Sequence, residues 1–238
     1  MNTPRMKIGI LLCDHVNPLL QPKHGDYPQM FETLFDSISK SFELHHYDVV
    51  NGELPLSIHE CDSYVISGSK HSVNDPFPWI HELRSFLTEL YEKNKKVIGI
   101  CFGHQLIATT FGGKVALSDK GWGIGVSSAS IQSHQPWMNT KQNQLNLLVS
   151  HQEQVMKIPQ GAQILLSNEF CPISMYQMGE HFLGLQGHPE FSKPYATDLM
   201  NLRKDNMRQE QFTKGIESLK LQVDEKIVTN WLRSFLTR

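Results

Sequence analysis

The sequence predicts an α/β fold in which a mostly parallel sheet is covered by helices on both faces. Two observations carry this prediction. Short apolar runs of strand length alternate with longer segments whose apolar residues recur at helical spacing. The 238 residues are also enough for one layered unit with its own core. Because the sequence shows no repeat and no glycine- or serine-rich linker, we expect residues 1–238 to form a single domain.

The first half of the chain carries the alternation. The segment Trp79–Tyr91 shows the helical period most clearly, since its apolar side chains recur every three or four positions. Gly112 and Gly113 mark the end of a later helix. We predict strands over Ile8–Cys13, Phe42–Val50, Ser63–Ile66 and Lys96–Ile100, and helices over Tyr27–Ser39, Trp79–Tyr91 and Gln105–Phe111.

The second half changes character, and its short β-like runs predict a small antiparallel portion followed by helices at 201–238. Gly179 and Glu180 separate the last two runs as a tight hairpin would. Trp231, Leu232 and Phe235 form an apolar stripe that we expect to pack onto the sheet, the alternative being a docking face. The β-like runs are Val115–Ile131, Leu145–Val149, Ala162–Ser167, Ile173–Met178 and His181–Gln186.

The charge balance argues against two classes of partner. Lysine and arginine number 22 against 24 aspartates and glutamates, for a formal net charge of −2. A protein that grips a phosphate backbone or an anionic membrane surface normally carries an excess of positive charge. No apolar stretch reaches the roughly 18 residues that a membrane span needs. We therefore expect neither nucleic acid nor a membrane as a partner.

The cysteines and histidines give no metal-binding pattern. Cys13, Cys61, Cys101 and Cys171 are widely spaced and contain no CxxC pair, which argues against a disulfide scaffold or a zinc ribbon and favours a reduced, cytoplasmic compartment. The 12 histidines include no HxxxH or HExxH pattern. No metal site is predicted.

One of these cysteines stands in a context typical of a nucleophile. An apolar strand runs into Gly99-Ile100-Cys101-Phe102-Gly103, and a helical pattern follows. This is the order of a nucleophile elbow, in which the glycines allow a sharp turn that lifts the reactive atom out of the sheet. The N–H groups and dipole of the following helix would favour the Cys101 thiolate, and the Phe102 N–H is placed to stabilise an oxyanion. The alternative is a small buried cysteine with no chemical role.

A thiol nucleophile needs a base and a group that orients the base. His188 and Glu190 lie two residues apart around a proline, so an extended segment would present them on the same side. The carboxylate could then fix the imidazole tautomer, as in a catalytic triad. Spacing alone does not favour His188 over His151 or His104.

Together these residues resemble the class I glutamine amidotransferase family, whose hallmarks are a G-x-C-x-G-x-Q elbow and a distant H-P-E. The resemblance spans about Ile8 to Phe191 and implies a flavodoxin-like three-layer sandwich. It also implies that Cys101 is the nucleophile, that His188 is the base and acid, and that Glu190 orients the imidazole.

Two further landmarks of that family stand here in altered form. In place of a Gly-Gly-Pro-x-Ser loop that completes the oxyanion hole, the chain has Ser67–Ser72, in which Gly68 matches the glycine and the proline is missing. In place of Ser-His-x-Asp near the substrate's amino and carboxylate groups, it has Ser150-His151-Gln152-Glu153. The resemblance thus implies Gly68 in the oxyanion hole and Gln105, Ser150 and His151 as substrate contacts. These departures resemble standalone members of the family, including γ-glutamyl peptidases.

The resemblance implies hydrolysis of the γ-amide of glutamine or of a γ-glutamyl compound through a glutamyl thioester, with no cofactor. After Phe191 only about 45 residues remain, too few for a synthase domain of typical size. Two other hypotheses stay open beside this hydrolase. The chain could be a glutaminase subunit that supplies ammonia to a separate synthetase chain, or a catalytically idle binding or regulatory module on this fold.

Overall fold

The computed structural model describes residues 5–37, 41–139 and 141–238. The strands are β1 Met6–Leu11, β2 Phe42–Tyr47, β3 Ser63–Ile66, β4 Lys96–Ile100, β5 Lys114–Leu117, β6 Gly123–Ile131, β7 Gln144–His151, β8 Glu153–Lys157, β9 Ala162–Ser167, β10 Met175–Met178 and β11 Phe182–Leu185. The helices are α1 Gln21–His24, α2 Tyr27–Asp36, α3 Pro78–Glu92, α4 Phe102–Thr110, α5 Lys193–Arg203, α6 Gln209–Ser218 and α7 Glu225–Leu236.

Nine of the strands within these ranges form one sheet in the order β2-β1-β3-β4-β11-β10-β9-β6-β7. The half from β2 to β11 is parallel, and the half from β11 to β7 is antiparallel. Strands β5 and β8 pair separately as an antiparallel ribbon. The predicted antiparallel portion therefore continues the main sheet and adds this ribbon at its side.

Alternation along the parallel strands explains the layers. In β3, Val65 belongs to a core cluster shared with α2 and α7, whereas Tyr64 and Ile66 belong to a second cluster shared with α3 and α4. Successive side chains of a strand point to opposite faces, so one apolar strand supplies both cores. This arrangement of helices on both faces confirms the predicted α/β three-layer sandwich.

Most of the predicted elements of the first half are present with shifted ends. Ser63–Ile66 and Lys96–Ile100 match β3 and β4, and the predicted helix over Trp79–Tyr91 is α3 extended by one residue at each end. The run Phe42–Val50 ends as a strand at Tyr47, because the chain then forms a 3₁₀ turn over Val49–Asn51. The end of the predicted helix Tyr27–Ser39, at Ile38 and Ser39, lies outside the described residues.

The second half departs further from the prediction. The single run Val115–Ile131 is divided into β5 and β6 by a turn that contains Gly121 at φ +80°. The C-terminal helical region begins at Lys193, after an N-cap at Ser192, and is broken into three helices. The predicted turn at Gly179 is confirmed between β10 and β11.

The burial of α7 shows whether its apolar stripe packs onto the sheet or forms a docking face. Trp231, Leu232 and Phe235 are each 0% exposed and belong to the core cluster that includes the strands of the parallel sheet. These side chains therefore pack onto the sheet, and the docking-face alternative is wrong for them. Among the described residues, none of the helices combines the length and the apolar composition that a membrane span requires.

Candidate active site

Cys101 occupies a sharp turn between β4 and α4. Its backbone has φ +50° and ψ −95°, a left-handed conformation that is costly for any residue with a side chain. Its N–H donates to the Leu185 carbonyl oxygen at 2.8 Å, which ties the turn to β11. The predicted elbow is therefore present, and α4 begins at Phe102, earlier than the predicted Gln105.

The two flanking glycines are required by close backbone approach. A Cβ atom on Gly99 would lie 2.3 Å from the carbonyl carbon of Gly103. A Cβ atom on Gly103 would lie 2.7 Å from the backbone oxygen of Ile66. Both distances are far below van der Waals contact, so the turn, the helix and β3 can pack this closely only with glycine at these positions.

His188 follows the end of β11 and reaches this turn. A side-chain hydrogen bond joins it to Cys101, and its Nδ1–H donates to Oε1 of Glu190 at 2.7 Å. The ring of Phe191 stacks on the imidazole with centroids 3.9 Å apart and an interplanar angle of 6°. The backbone N–H of His188 donates to Leu148 O at 2.8 Å. The structure thus assembles a hydrogen-bonded chain from Cys101 through His188 to Glu190.

Nearby charges affect the pKa of His188 more strongly than its burial does. Burial alone would lower the pKa of this imidazole, but the charges of Glu190 and Cys101, with hydrogen bonds to both, raise the pKa of His188 to about 10. The Glu190 side chain is completely buried, so little solvent screens its charge. The arrangement therefore favours an imidazolium at neutral pH.

The other two histidines considered above lie in different surroundings. Burial, the largest cause, lowers the pKa of His151 to about 4 and that of His104 to about 3. His151 directs its Nδ1–H to the Glu153 backbone oxygen at 3.1 Å, and His104 packs beside Tyr176. The geometry thus selects His188 among the three histidines as the partner of the thiol.

The two predicted oxyanion donors lie against this chain. A Cβ atom built on Gly68 would lie 3.0 Å from Cε1 of His188 and 3.7 Å from Cβ of Cys101. Phe102 is the first residue of α4, where a helix has no internal acceptor for the N–H. Both backbone segments are therefore close enough to face a group attached to the Cys101 sulfur.

A cleft of about 400 Å³ opens beside the thiol and brings the predicted substrate contacts together. Gln105 donates through Nε2 to the Glu153 backbone oxygen at 2.8 Å and to Gln186 Oε1 at 3.1 Å. The Ser150 hydroxyl accepts from the Arg203 guanidinium at 2.9 Å. The residues that line the cleft include Cys101, Gln105, Ser150, His151, Glu153 and Arg203.

Sequence reasoning missed three contacts of this region. Phe191 orients the imidazole by stacking, and its position directly after the H-P-E motif was an available signal. The Glu153 carboxylate accepts from the Ser72 hydroxyl at 2.8 Å and joins the loop after β3 to β8. Arg203 comes from α5 and carries no local motif.

Metal binding has no evident place here. Across residues 5–37, 41–139 and 141–238, no group of three or more histidine, cysteine, aspartate or glutamate side chains is arranged to hold a metal ion. The titratable and charged side chains that line the cleft are Lys70, His71, Cys101, His151, Glu153 and Arg203, and the His188–Glu190 pair lies behind Cys101.

Alkylation should distinguish Cys101 from the other cysteines. All four are free thiols, but burial raises the pKa of Cys171 to about 11 and raises the pKa of Cys13 and of Cys61 as well. Only Cys101 pairs with an imidazolium and lines the 400 Å³ cleft. We expect iodoacetamide at neutral pH to modify Cys101 at least about tenfold faster than the other three. Peptide mapping by mass spectrometry measures the four rates, and equal rates would contradict an activated thiol.

Known proteins resemble this chain in sequence and in fold. A family model described as Glutamine amidotransferase class-I matches residues 29–203. Two relatives from Arabidopsis thaliana are named gamma-glutamyl peptidase 3 and gamma-glutamyl peptidase 4. The first is 29% identical over 94% of this chain and 92% of its own length, and the second is 31% identical over 75% of this chain and 73% of its own length. The crystal structure of a glutamine amidotransferase from Thermotoga maritima has the same fold, with a TM-score of 0.77, 21% identity and coverage of 99% and 98% of the two chains.

Proposed function

Since the chain belongs to the glutamine amidotransferase class-I family, we propose that it hydrolyses the γ-amide bond of glutamine or of γ-glutamyl compounds through Cys101, His188 and Glu190. The observation that carries the proposal is the hydrogen-bonded chain from the thiol to a buried carboxylate beside an open cleft. The names of the two Arabidopsis relatives support a γ-glutamyl substrate.

In the first half of the reaction, the Cys101 thiolate attacks the γ-carbonyl carbon and forms a C–S bond. Negative charge moves to the carbonyl oxygen, and the N–H groups of Gly68 and Phe102 stabilise it. Such donors typically contribute a few kcal/mol each in the transition state. His188, held as imidazolium by Glu190, gives its proton to the departing nitrogen as the C–N bond breaks. Ammonia or a free amine leaves, and the glutamyl group remains as a thioester.

In the second half, the now neutral imidazole accepts a proton from a water molecule that attacks the thioester. The C–S bond breaks, glutamate is released, and the proton on His188 restores the thiolate–imidazolium pair. The chemistry needs no group beyond the thiol, the imidazole and the backbone amides. Phe191 keeps the ring plane fixed through both halves because it stacks flat on the imidazole.

A panel of substrates tests the proposal. We expect the purified chain to release glutamate from γ-glutamyl dipeptides, and ammonia plus glutamate from glutamine, with both products measured enzymatically. Glutamate release from glutamine only after a separate synthetase chain is added would favour the ammonia-supplying subunit. Release from none of these substrates, with the labelling of Cys101 intact, would favour the idle binding module and would overturn the proposal.

A further inference from the structure

Of the lysine and arginine side chains that line the active-site cleft in the described part of the chain, Lys70 and Arg203, only Arg203 forms no ion pair. Lys70 forms an ion pair with Asp14 at 2.8 Å, and the Glu153 carboxylate accepts from the Ser72 hydroxyl. Arg203 takes part in no ion pair among the described residues. A half-buried guanidinium without a carboxylate partner is an available anion site.

The guanidinium is held in place, although it is not neutralised. It donates to the Ser150 hydroxyl at 2.9 Å and lies over the Trp122 ring, 5.6 Å from the ring centroid. The indole N–H donates to the Asn206 backbone oxygen at 3.1 Å, so the turn that follows Arg203 also fixes the aromatic ring beneath it. A guanidinium has five N–H donors in a planar fork, and the hydrogen bond to Ser150 uses one of its nitrogens. The remaining donors match the two oxygens of a carboxylate.

The chemistry of the proposed substrates supplies such a carboxylate. Glutamine and γ-glutamyl compounds all carry an α-carboxylate beside an α-ammonium, and a γ-glutamyl amino acid carries a second carboxylate on its leaving group. Apart from Lys70, which is paired with Asp14, the cleft holds one charged side chain of each sign for such groups, Arg203 and Glu153, together with the Cys101 thiol. Its volume of about 400 Å³ lies within the range of small-molecule sites.

We propose that Arg203 is a specificity-determining residue that binds a carboxylate of the substrate, with Trp122 and Ser150 holding its guanidinium in position. The proposal rests on the proposed function, because it assigns the carboxylate to a glutamyl compound that reacts at Cys101. The proposal gives a role to the hydrogen bond between Arg203, at the end of α5, and Ser150 in β7.

Steady-state kinetics of Arg203→Met on three substrates test the inference. The substrates are glutamine, γ-glutamylglycine and γ-glutamylmethylamide, of which only γ-glutamylglycine carries a carboxylate on its leaving group. We expect kcat/KM to fall by about 10- to 100-fold, mainly through a higher KM, because a charge-assisted hydrogen-bonded pair is lost. If kcat/KM falls only for γ-glutamylglycine, Arg203 binds the carboxylate of the leaving group. If kcat/KM falls equally for all three substrates, Arg203 binds the α-carboxylate. Arg203→Lys should retain part of the affinity.

Lys204→Met is the matched control, since Lys204 is the exposed neighbour of Arg203 and does not line the cleft. An unchanged kcat/KM in Arg203→Met, or a loss that Lys204→Met shares, would overturn the inference. Iodoacetamide labelling of Cys101 at the wild-type rate shows that Arg203→Met is folded around the site. A wild-type chain that hydrolyses none of the three substrates would overturn the proposed function itself, which separates the two failures.

Discussion

Glutamate release should fall by on the order of 10⁴-fold or more when Cys101 is replaced by serine. The oxygen of serine is a far weaker nucleophile than a thiolate. Glu190 still raises the pKa of His188 in the variant, although the contribution of Cys101 to that pKa is lost, so the imidazole remains a poor base for activating a hydroxyl. The elbow itself should persist, because the strained backbone at this position depends on Gly99 and Gly103 and on tight packing. The measurement is the initial rate of glutamate release on the best substrate of the panel.

Cys171→Ser is the control for this substitution, because Cys171 is also buried but does not line the cleft and has hydrogen-bond partners of its own in Asn168 and Ser174. It should retain the wild-type rate. A Cys101→Ser variant with more than about a tenth of the wild-type activity would contradict the assignment of the nucleophile, since loss of a nucleophile costs far more than tenfold.

The second large effect concerns the buried carboxylate. Glu190→Gln should lower kcat/KM by on the order of 10³-fold, because an amide neither stabilises an imidazolium nor fixes its tautomer. The substitution should also change the pH profile. Glu190 is the largest of the causes that raise the pKa of His188 to about 10, so its loss lowers that pKa, and the imidazolium is lost at a lower pH. The alkaline limb of kcat/KM should therefore shift toward acid pH.

A purely structural role of Glu190 would lower the rate without moving that limb, so the pH profile separates the two explanations. Glu190→Asp keeps the charge and should restore part of the rate and most of the alkaline limb. Glu180→Gln, at an exposed turn, removes the same charge far from the cleft and should behave like the wild type. An alkaline limb that stays in place in Glu190→Gln would contradict the proposed electrostatic role.

The parts of the site that depend on short-range spacing could be predicted from the sequence. Gly99, Cys101 and Gly103 predicted the elbow because the steric demands of a tight turn are local. The sequence also paired His188 with Glu190, and a hydrogen bond of 2.7 Å joins them. The predicted extended geometry is wrong, because the chain turns at Pro189 and Glu190 and the Phe191 N–H donates to the His188 carbonyl oxygen. The spacing of residues in the sequence could not identify His188, rather than His151 or His104, as the partner of the thiol.

That choice depends on which strands are neighbours in the sheet. The parallel register of β11 with β4 places Leu185 opposite Ile100, so the segments that follow the two strands emerge side by side. Pairing between strands that are far apart in sequence depends on how the complete core packs, so it cannot be predicted from a local sequence pattern.

Weak or overlooked local signals explain why β8 and the start of α5 were not predicted from the sequence. Strand β8 pairs only with β5 in the ribbon, and its Met156 is 55% exposed, so it lacks the apolar signal of a buried strand. The start of α5 was missed although its signal is present, since Ser192 caps the helix and a proline stands in the first turn. Arg203, at the end of that helix, lies within the predicted helical region 201–238, but no local pattern marked it as a site residue.

The proposed thioester on Cys101 is tested most directly by mass-spectrometric mapping of the wild-type chain after acid quenching during turnover of a γ-glutamyl substrate. We expect a γ-glutamyl group on the peptide that contains Cys101, present while substrate lasts and gone once the substrate is exhausted. An adduct on another side chain, or a Cys101 peptide that stays unmodified while glutamate accumulates, would contradict the proposed thioester.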